Sequence, residues 1–246
     1  MLLGLGLCAC GRFGFDADAV ATDASATDAD ADATAALDNT ICDEVSTTLV
    51  CESFEASPKL ATVDVSPPDT IAIDGSRPYR GALSFHTHTE GSSSTAWRRG
   101  RVLGGVTTGE LHARWYVYIP AGLVQPIALT HLLSDVAPFD GVVFQVLATG
   151  VSVSYANTMA SSAVPLPRDQ WACVQVRIVV SAATDGLVET WIDGIPAARL
   201  DALVTLPPNG YWNVHTGHFS GGPSHGEIVD VWTDELVVGT ATIPCD

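Results

Sequence analysis

The chain has 246 residues, with 11 Lys and Arg against 28 Asp and Glu, so its formal net charge is −17. So acidic a chain repels phosphate backbones, which argues against nucleic acid as a partner. No apolar run approaches the ~18 residues of a membrane-spanning helix, so any membrane contact would come only through a covalent lipid.

The first ten residues, MLLGLGLCAC, are apolar and end in two cysteines. Leu7-Cys8-Ala9-Cys10 resembles the lipobox of bacterial lipoproteins, in which a Leu, a free position and a small residue precede the Cys that receives lipid. The resemblance implies that residues 1–10 are the remnant of a signal peptide and that Cys10 is lipidated. It also implies export and anchoring to the outer membrane or cell surface. No Lys or Arg precedes the run, although export signals start with a basic segment; a start placed too late would account for this. The plainer alternative is a frayed apolar terminus with two free thiols. Residues 11–40 follow as an acidic linker, almost pure Asp, Ala and Thr from position 16 onward. That composition buries too little apolar surface to offset ordering entropy, so the segment is expected to be disordered and extended by self-repulsion. Residues 1–40 carry seven Asp against Arg12, a net −6, which leaves −11 for the remainder.

Residues 41–246 form one block, rich in Val, Thr, Gly and Pro and poor in helix formers, as expected of a single all-β domain. Strand signals occur at 49–54, 62–65, 70–73 and 81–89, the last with His86 and His88 on one face. Two imidazoles at i and i+2 could share a metal, or simply sit on a polar sheet face. Trp97, Arg98 and Arg99 then read as part of a Gly/Ser-rich loop. The stretch Gly109 to Pro120, GELHARWYVYIP, alternates fully. Leu111, Ala113, Trp115, Val117 and Ile119 face one way, while Glu110, His112, Arg114, Tyr116 and Tyr118 face the other. Strands continue at 131–133, 141–147 and 150–155. The segments 170–180 and 186–192 read as a hairpin, and Asp193-Gly194 turns the chain into 197–200. Residues 212–226, with His215, His218 and His225, read as a His- and Gly-rich loop whose imidazoles could reach a common ion. Segments 226–232 and 235–239 close the domain. So many short strands punctuated by Gly and Pro predict two packed antiparallel sheets.

Beyond Cys8 and Cys10, four cysteines remain: Cys42, Cys51, Cys173 and Cys245. An even number in an exported domain suggests two disulfides, for which three pairings exist. Proximity favours Cys42–Cys51, leaving Cys173–Cys245 to tie a central strand to the C-terminus. Free buried thiols are the alternative.

VETWIDGIPAARL resembles the strand–Asp-Gly–strand element of the concanavalin A-like jelly-roll superfamily, which includes laminin-G-like domains, lectins, glucanases and polysaccharide lyases. LHARWYVYIP resembles its long central strand and WTDELVV its last strand. The resemblance covers roughly residues 45–243. It implies a two-sheet jelly-roll sandwich whose first and last strands lie together, with Cys51 near Val237. It also implies a concave sheet face that carries ligand. The polar side of 110–118 is the leading candidate: a sugar would stack on Tyr116 or Tyr118 while Arg114 and Glu110 bond its hydroxyls. The competing reading is a wetted sheet face with Glu paired to Arg across strands. His86, His88 and Gln145 complete the proposed ligand set.

An enzyme would be a polysaccharide lyase on uronate polymers, for which His112, Arg114, Tyr116, Gln145 and Tyr155 are suitable residue types. The Arg-x-Glu-x-Arg and Gln-x-His signatures of alginate-lyase-type strands are absent. Glu227 and Asp230 are misplaced for a glycosidase pair. The resemblance leaves calcium open as a ligand of Asp135, Asp140 and Asp234 at strand ends, but these form no dense ligand cluster, so no cofactor is expected. The reading that follows is a lipid-anchored, exported cell-envelope protein whose jelly-roll binds a glycan or a surface protein without catalysis. A uronate lyase and a ligand-free structural protein are the alternatives.

Overall fold

The computed structural model describes residues 47–90, 95–122, 126–137, 140–219 and 228–245. The expectations for Cys8, Cys10, the acidic linker, Cys42 and His225 lie outside the described residues.

Fifteen strands form two antiparallel sheets, and no helix occurs among the described residues. The eight-stranded sheet contains β13 (Ile195–Leu203), β12 (Gly186–Ile192), β11 (Trp171–Val180), β6 (Gly109–Tyr118), β15 (Val229–Gly239), β4 (Ser84–Thr89) and β3 (Thr70–Asp74) in that order, with β1 (Thr48–Glu52) also paired to β15. The seven-stranded sheet runs β10 (Thr158–Ser162), β9 (Gly150–Tyr155), β8 (Gly141–Leu147), β7 (Ile127–Leu133), β14 (Tyr211–Phe219), β5 (Thr95–Val106) and β2 (Thr62–Val65). This is the jelly-roll sandwich expected. The first and last strands pair, and Cys51 lies opposite Val237.

The core lies between the sheets and follows from alternation. Leu111, Ala113, Trp115 and Val117 of β6 meet Val142, Phe144 and Val146 of β8 and Val151 and Val153 of β9. Trp115 sits edge-on to Phe144, ring centroids 5.3 Å apart at 81°. The hairpin of β11 and β12 forms with Arg177 opposite Glu189. Asp193 and Gly194 both take positive φ, 49° and 75°, as a two-residue hairpin turn requires.

Three strands depart from the sequence reading. The 12-residue β5 covers Trp97, Arg98 and Arg99, expected in a loop. The nine-residue β14 takes up residues 212–219 of the expected His- and Gly-rich loop, whose remainder lies outside the described residues, and β10 had no strand expected. The two closing segments are one strand, bulged between Asp234 and Val237.

Candidate functional site

The polar side of β6 is the outer face of the eight-stranded sheet, and it is covered. Arg114 and Tyr116 are 2% and 3% exposed, and His112 and Tyr118 are also buried. Glu110 bonds His112 Nε2 at 2.9 Å and forms a cross-strand pair with Arg177 at 2.6 Å. That guanidinium holds the Glu110 carboxyl down to about 2. Arg177 reaches on to Glu189 at 3.0 Å, which also meets Arg199, so an ion-pair ladder crosses four strands.

Two segments lie over this face. The loop between β3 and β4 stacks Tyr79 on Tyr116, with centroids 3.6 Å apart, and places the Arg77 guanidinium 3.9 Å above the Tyr118 ring. Asp234 Oδ2 holds that loop by accepting Tyr79 N–H at 2.9 Å and Arg80 N–H at 3.3 Å. Burial pushes the Asp234 carboxyl up to about 7 against those donors. Glu55 Oε1 accepts the Ala82 and Leu83 N–H groups at the other end of the loop. On the opposite flank the C-terminal segment is tied down by the Cys173–Cys245 disulfide. This is the pairing expected; Cys51 is also disulfide-bonded. The closed face therefore offers no groove between Glu110 and Tyr118 for a sugar to enter.

His86 and His88 occupy the same outer face on β4, two strands from β6, where the ladder begins. Asp230 Oδ1 bonds His86 Nε2 at 2.8 Å and His88 Nδ1 at 2.9 Å, while His86 Nδ1 lies 3.2 Å from Asp74. His86 also lies flat on Trp232, centroids 4.3 Å apart. Both histidines are thus committed to carboxylates. Among the described residues no group of three or more His, Cys, Asp or Glu is placed to hold a metal ion.

The residue types expected together for lyase chemistry do not converge. His112, Arg114 and Tyr116 face outward on the eight-stranded sheet. Tyr155 belongs to the core between the sheets. Gln145 stands on the other sheet, where its Oε1 accepts Ser152 Oγ at 3.1 Å. The histidines expected to share an ion are also separated. His218 Nδ1 pairs with Thr89 Oγ1 of the opposite sheet at 2.9 Å, so His218 points inward while His215 points outward.

The outer face of the seven-stranded sheet carries a different constellation. Register aligns Arg99, His215, His131, Val143 and Ser154 in one row across β5, β14, β7, β8 and β9. Trp97 lies opposite Gly217, whose φ of 132° and missing side chain admit it: a Cβ there would meet Ala96 O at 2.4 Å and Trp97 Cα at 2.7 Å. The indole then contacts His215 edge-on at 4.9 Å and His131 at 5.5 Å, and stacks on Phe219 at 4.9 Å. Arg99 and Arg101 flank this cluster, half-exposed and paired to Asp64 at 2.6 Å and Asp135 at 2.8 Å. Arg101 also lies 3.7 Å over the Trp212 ring.

Its electrostatics are set by burial. His131 and His215 are 6% and 7% exposed, and desolvation brings both imidazoles down to about 3, with their mutual proximity and Arg99 acting in the same sense. Both are therefore neutral at neutral pH. Trp97 Nε1, His131 Nε2 and His215 Nδ1 are buried without a hydrogen-bond partner among the described residues. Each such atom costs about 1–3 kcal/mol. These three atoms lie together, and the exposed polar groups beside them are Arg99 and Arg101.

No protein-family model matches the chain, and no curated protein sequence does. Solved structures share its fold. An endo-beta-1,4-glucuronan lyase from the fungus Trichoderma reesei superposes with a TM-score of 0.65 at 11% identity, over 79% of this chain and 96% of that one. The cellulose-induced protein Cip1 gives 0.61 at 14% identity, over 80% and 100%. A marine PL-14 alginate lyase from Aplysia kurodai gives 0.59 at 11% identity, over 79% and 100%. The chain is a jelly-roll sandwich. At these identities the likeness establishes the architecture alone.

The sequence reading missed this site because β5 and β14 are studded with Gly, Arg and His. A signal was available: Trp97, Arg99 and Arg101 alternate with Ala96, Arg98 and Gly100, and Asn213, His215 and Gly217 with Val214, Thr216 and His218.

Proposed function

We propose that this chain binds a glycan, without turning it over, on the outer face of its seven-stranded sheet. The observation that carries the reading is the pair of half-exposed arginines, Arg99 and Arg101, with Arg101 3.7 Å over the Trp212 ring, beside the buried cluster of Trp97, His131 and His215. Arg99 and Arg101 fork onto hydroxyl or carboxylate oxygens of a sugar, and the half-exposed Trp212 offers an apolar ring beside them. The structural likeness to proteins named as lyases of glucuronan and alginate supports a polysaccharide over a protein ligand. Affinity electrophoresis against neutral and uronate-containing polysaccharides tests it. Arg99→Ala combined with Arg101→Ala is expected to weaken binding at least about tenfold, roughly 1.4 kcal/mol, whereas Arg177→Ala on the other sheet leaves it unchanged. A double variant that binds like the parent chain would sink the assignment.

A second reading, uronate lyase, is favoured by one observation. That observation is the likeness in fold to two proteins named as lyases of glucuronan and alginate; His131 and His215, brought down to about 3 by burial, are too weakly basic to be the proton acceptor. Ultraviolet absorbance of the unsaturated product separates turnover from binding.

The reading extends to export, with Cys10 lipidated, residues 11–40 as a spacer and the domain held at the outer membrane or cell surface. Its support is the Cys173–Cys245 disulfide, a bond that persists in oxidising compartments. Mass spectrometry of the mature N-terminus is expected to find a diacylglycerol on Cys10; an unmodified Met1 or Cys10 rules the anchor out.

A further inference from the structure

Residues 240–245 leave β15 and fold back over the polar face of β6 and β11 as a strap. Gln175 Nε2 donates to Ile243 O at 2.7 Å, and Arg114 Nη1 donates to Pro244 O at 3.3 Å. The Ile243 side chain is buried against Cys51 and Val237. Cys245 closes the run on Cys173. Thr240, Ala241, Thr242 and Pro244 are exposed.

This is the chemistry of peptide recognition. Two long side chains each donate to a backbone carbonyl, and the carbonyls belong to consecutive residues. A recess takes one branched apolar side chain, and a cysteine takes a sulfur. None of these contacts reads where the bound segment is attached. Any extended segment with an apolar residue, then Pro, then Cys would meet them equally well. Apart from the disulfide, the strap is held by one buried side chain, the two side-chain hydrogen bonds and Thr240 N–H donating to Thr47 O at 3.1 Å, while its other residues are mostly exposed. Ordering such a run costs conformational entropy at every residue. The disulfide is therefore the latch.

We propose that the face beneath the strap is a docking groove for an extended polypeptide segment. Residues 240–245 are its resident occupant, and the Cys173–Cys245 disulfide gates it. A partner thiolate that attacks Cys173 displaces Cys245 as a thiolate; one S–S bond breaks and one forms, so no oxidant is needed. This groove lies on the sheet opposite the proposed glycan face, and its test is independent of glycan binding.

The probe is a synthetic peptide of residues 240–246 whose cysteine is activated as a mixed disulfide with thionitrobenzoate. The target is the full chain carrying Cys245→Ser, in which the Cys173 thiolate attacks the peptide sulfur and coloured thionitrobenzoate leaves. The chain with both Cys173→Ser and Cys245→Ser supplies the background from the other cysteines. The peptide is expected to react at least tenfold faster than glutathione activated in the same way, with a rate that saturates in peptide. Gln175→Ala in the protein, or Ser for Ile in the peptide, should erase that advantage. Equal rates for peptide and glutathione overturn the proposal, as does reaction at no more than background. Should Cys245→Ser fold poorly, the unmodified chain in a glutathione redox buffer is expected to yield a Cys173–peptide crosslink by mass spectrometry. Absence of that crosslink counts against the groove equally.

Discussion

Unfolding free energy is expected to fall steeply as pH drops below about 6.5, and far less steeply in a chain carrying His131→Phe and His215→Phe. Unfolded, each imidazole takes up its proton near 6.5; folded, each waits until about 3. Between those values the unfolded chain binds more protons, so acid favours unfolding, and the loss is complete once pH passes the folded value. A shift of one unit is worth about 1.36 kcal/mol, so two shifts at well-buried sites amount to several kcal/mol. Asp234 works in the opposite sense. Its folded value, about 7, lies above its ordinary 3.8, so stability from that group declines as pH rises through this window. Two histidines against one aspartate leave a net loss toward acid. Phenylalanine suits the test because His131 already sits against the Trp97 and Phe219 rings and His215 against Trp97. Denaturant midpoints across the acid range read the effect, and parallel curves for the two chains would show that the histidines are not the cause.

Trp115→Ala is expected to lower stability by about 3–5 kcal/mol, the cost of emptying a large buried aromatic site. Trp115 is fully buried and meets Phe144 of the facing sheet, so its loss opens a void in the layer joining the two sheets. Against a total of about 5–15 kcal/mol, that is a large fraction. Trp115→Phe retains a ring at the same place and should lose much less. Equilibrium denaturation of both variants checks the prediction; a loss below about 1 kcal/mol for Trp115→Ala would mean the sheets are held together elsewhere.

The disulfide from β11 to the C-terminus was legible, and so was the pairing of first and last strands. The first came from pairing neighbouring cysteines and the second from resemblance in strand order. The site was not legible in the same way. Glu110, His112, Arg114, Tyr116 and Tyr118 do share one face of a strand, as alternation dictates. Alternation is blind to what covers that face. The Tyr79 loop arrives from between β3 and β4, and the strap from beyond β15, so both come from elements distant in sequence from β6. Gln145 was placed with these residues by chemical type, yet its strand belongs to the other sheet.

Local pattern by itself determined which residues of each regular strand face the core, because side-chain direction alternates residue by residue whatever the strand packs against. The tertiary structure alone decided which polar face is covered by Tyr79 and the C-terminal segment and which sets half-exposed arginines beside a buried ring cluster. Closure of β6 depends on long-range contacts such as Tyr79 on Tyr116 and Cys245 on Cys173. The cluster of Trp97, His131, His215 and Phe219 comes from three strands, β5, β7 and β14, whose neighbours are set by sheet order rather than chain order. Burial then lowered the pH at which two histidines take up a proton from 6.5 to about 3, and burial is a property of the assembled sandwich.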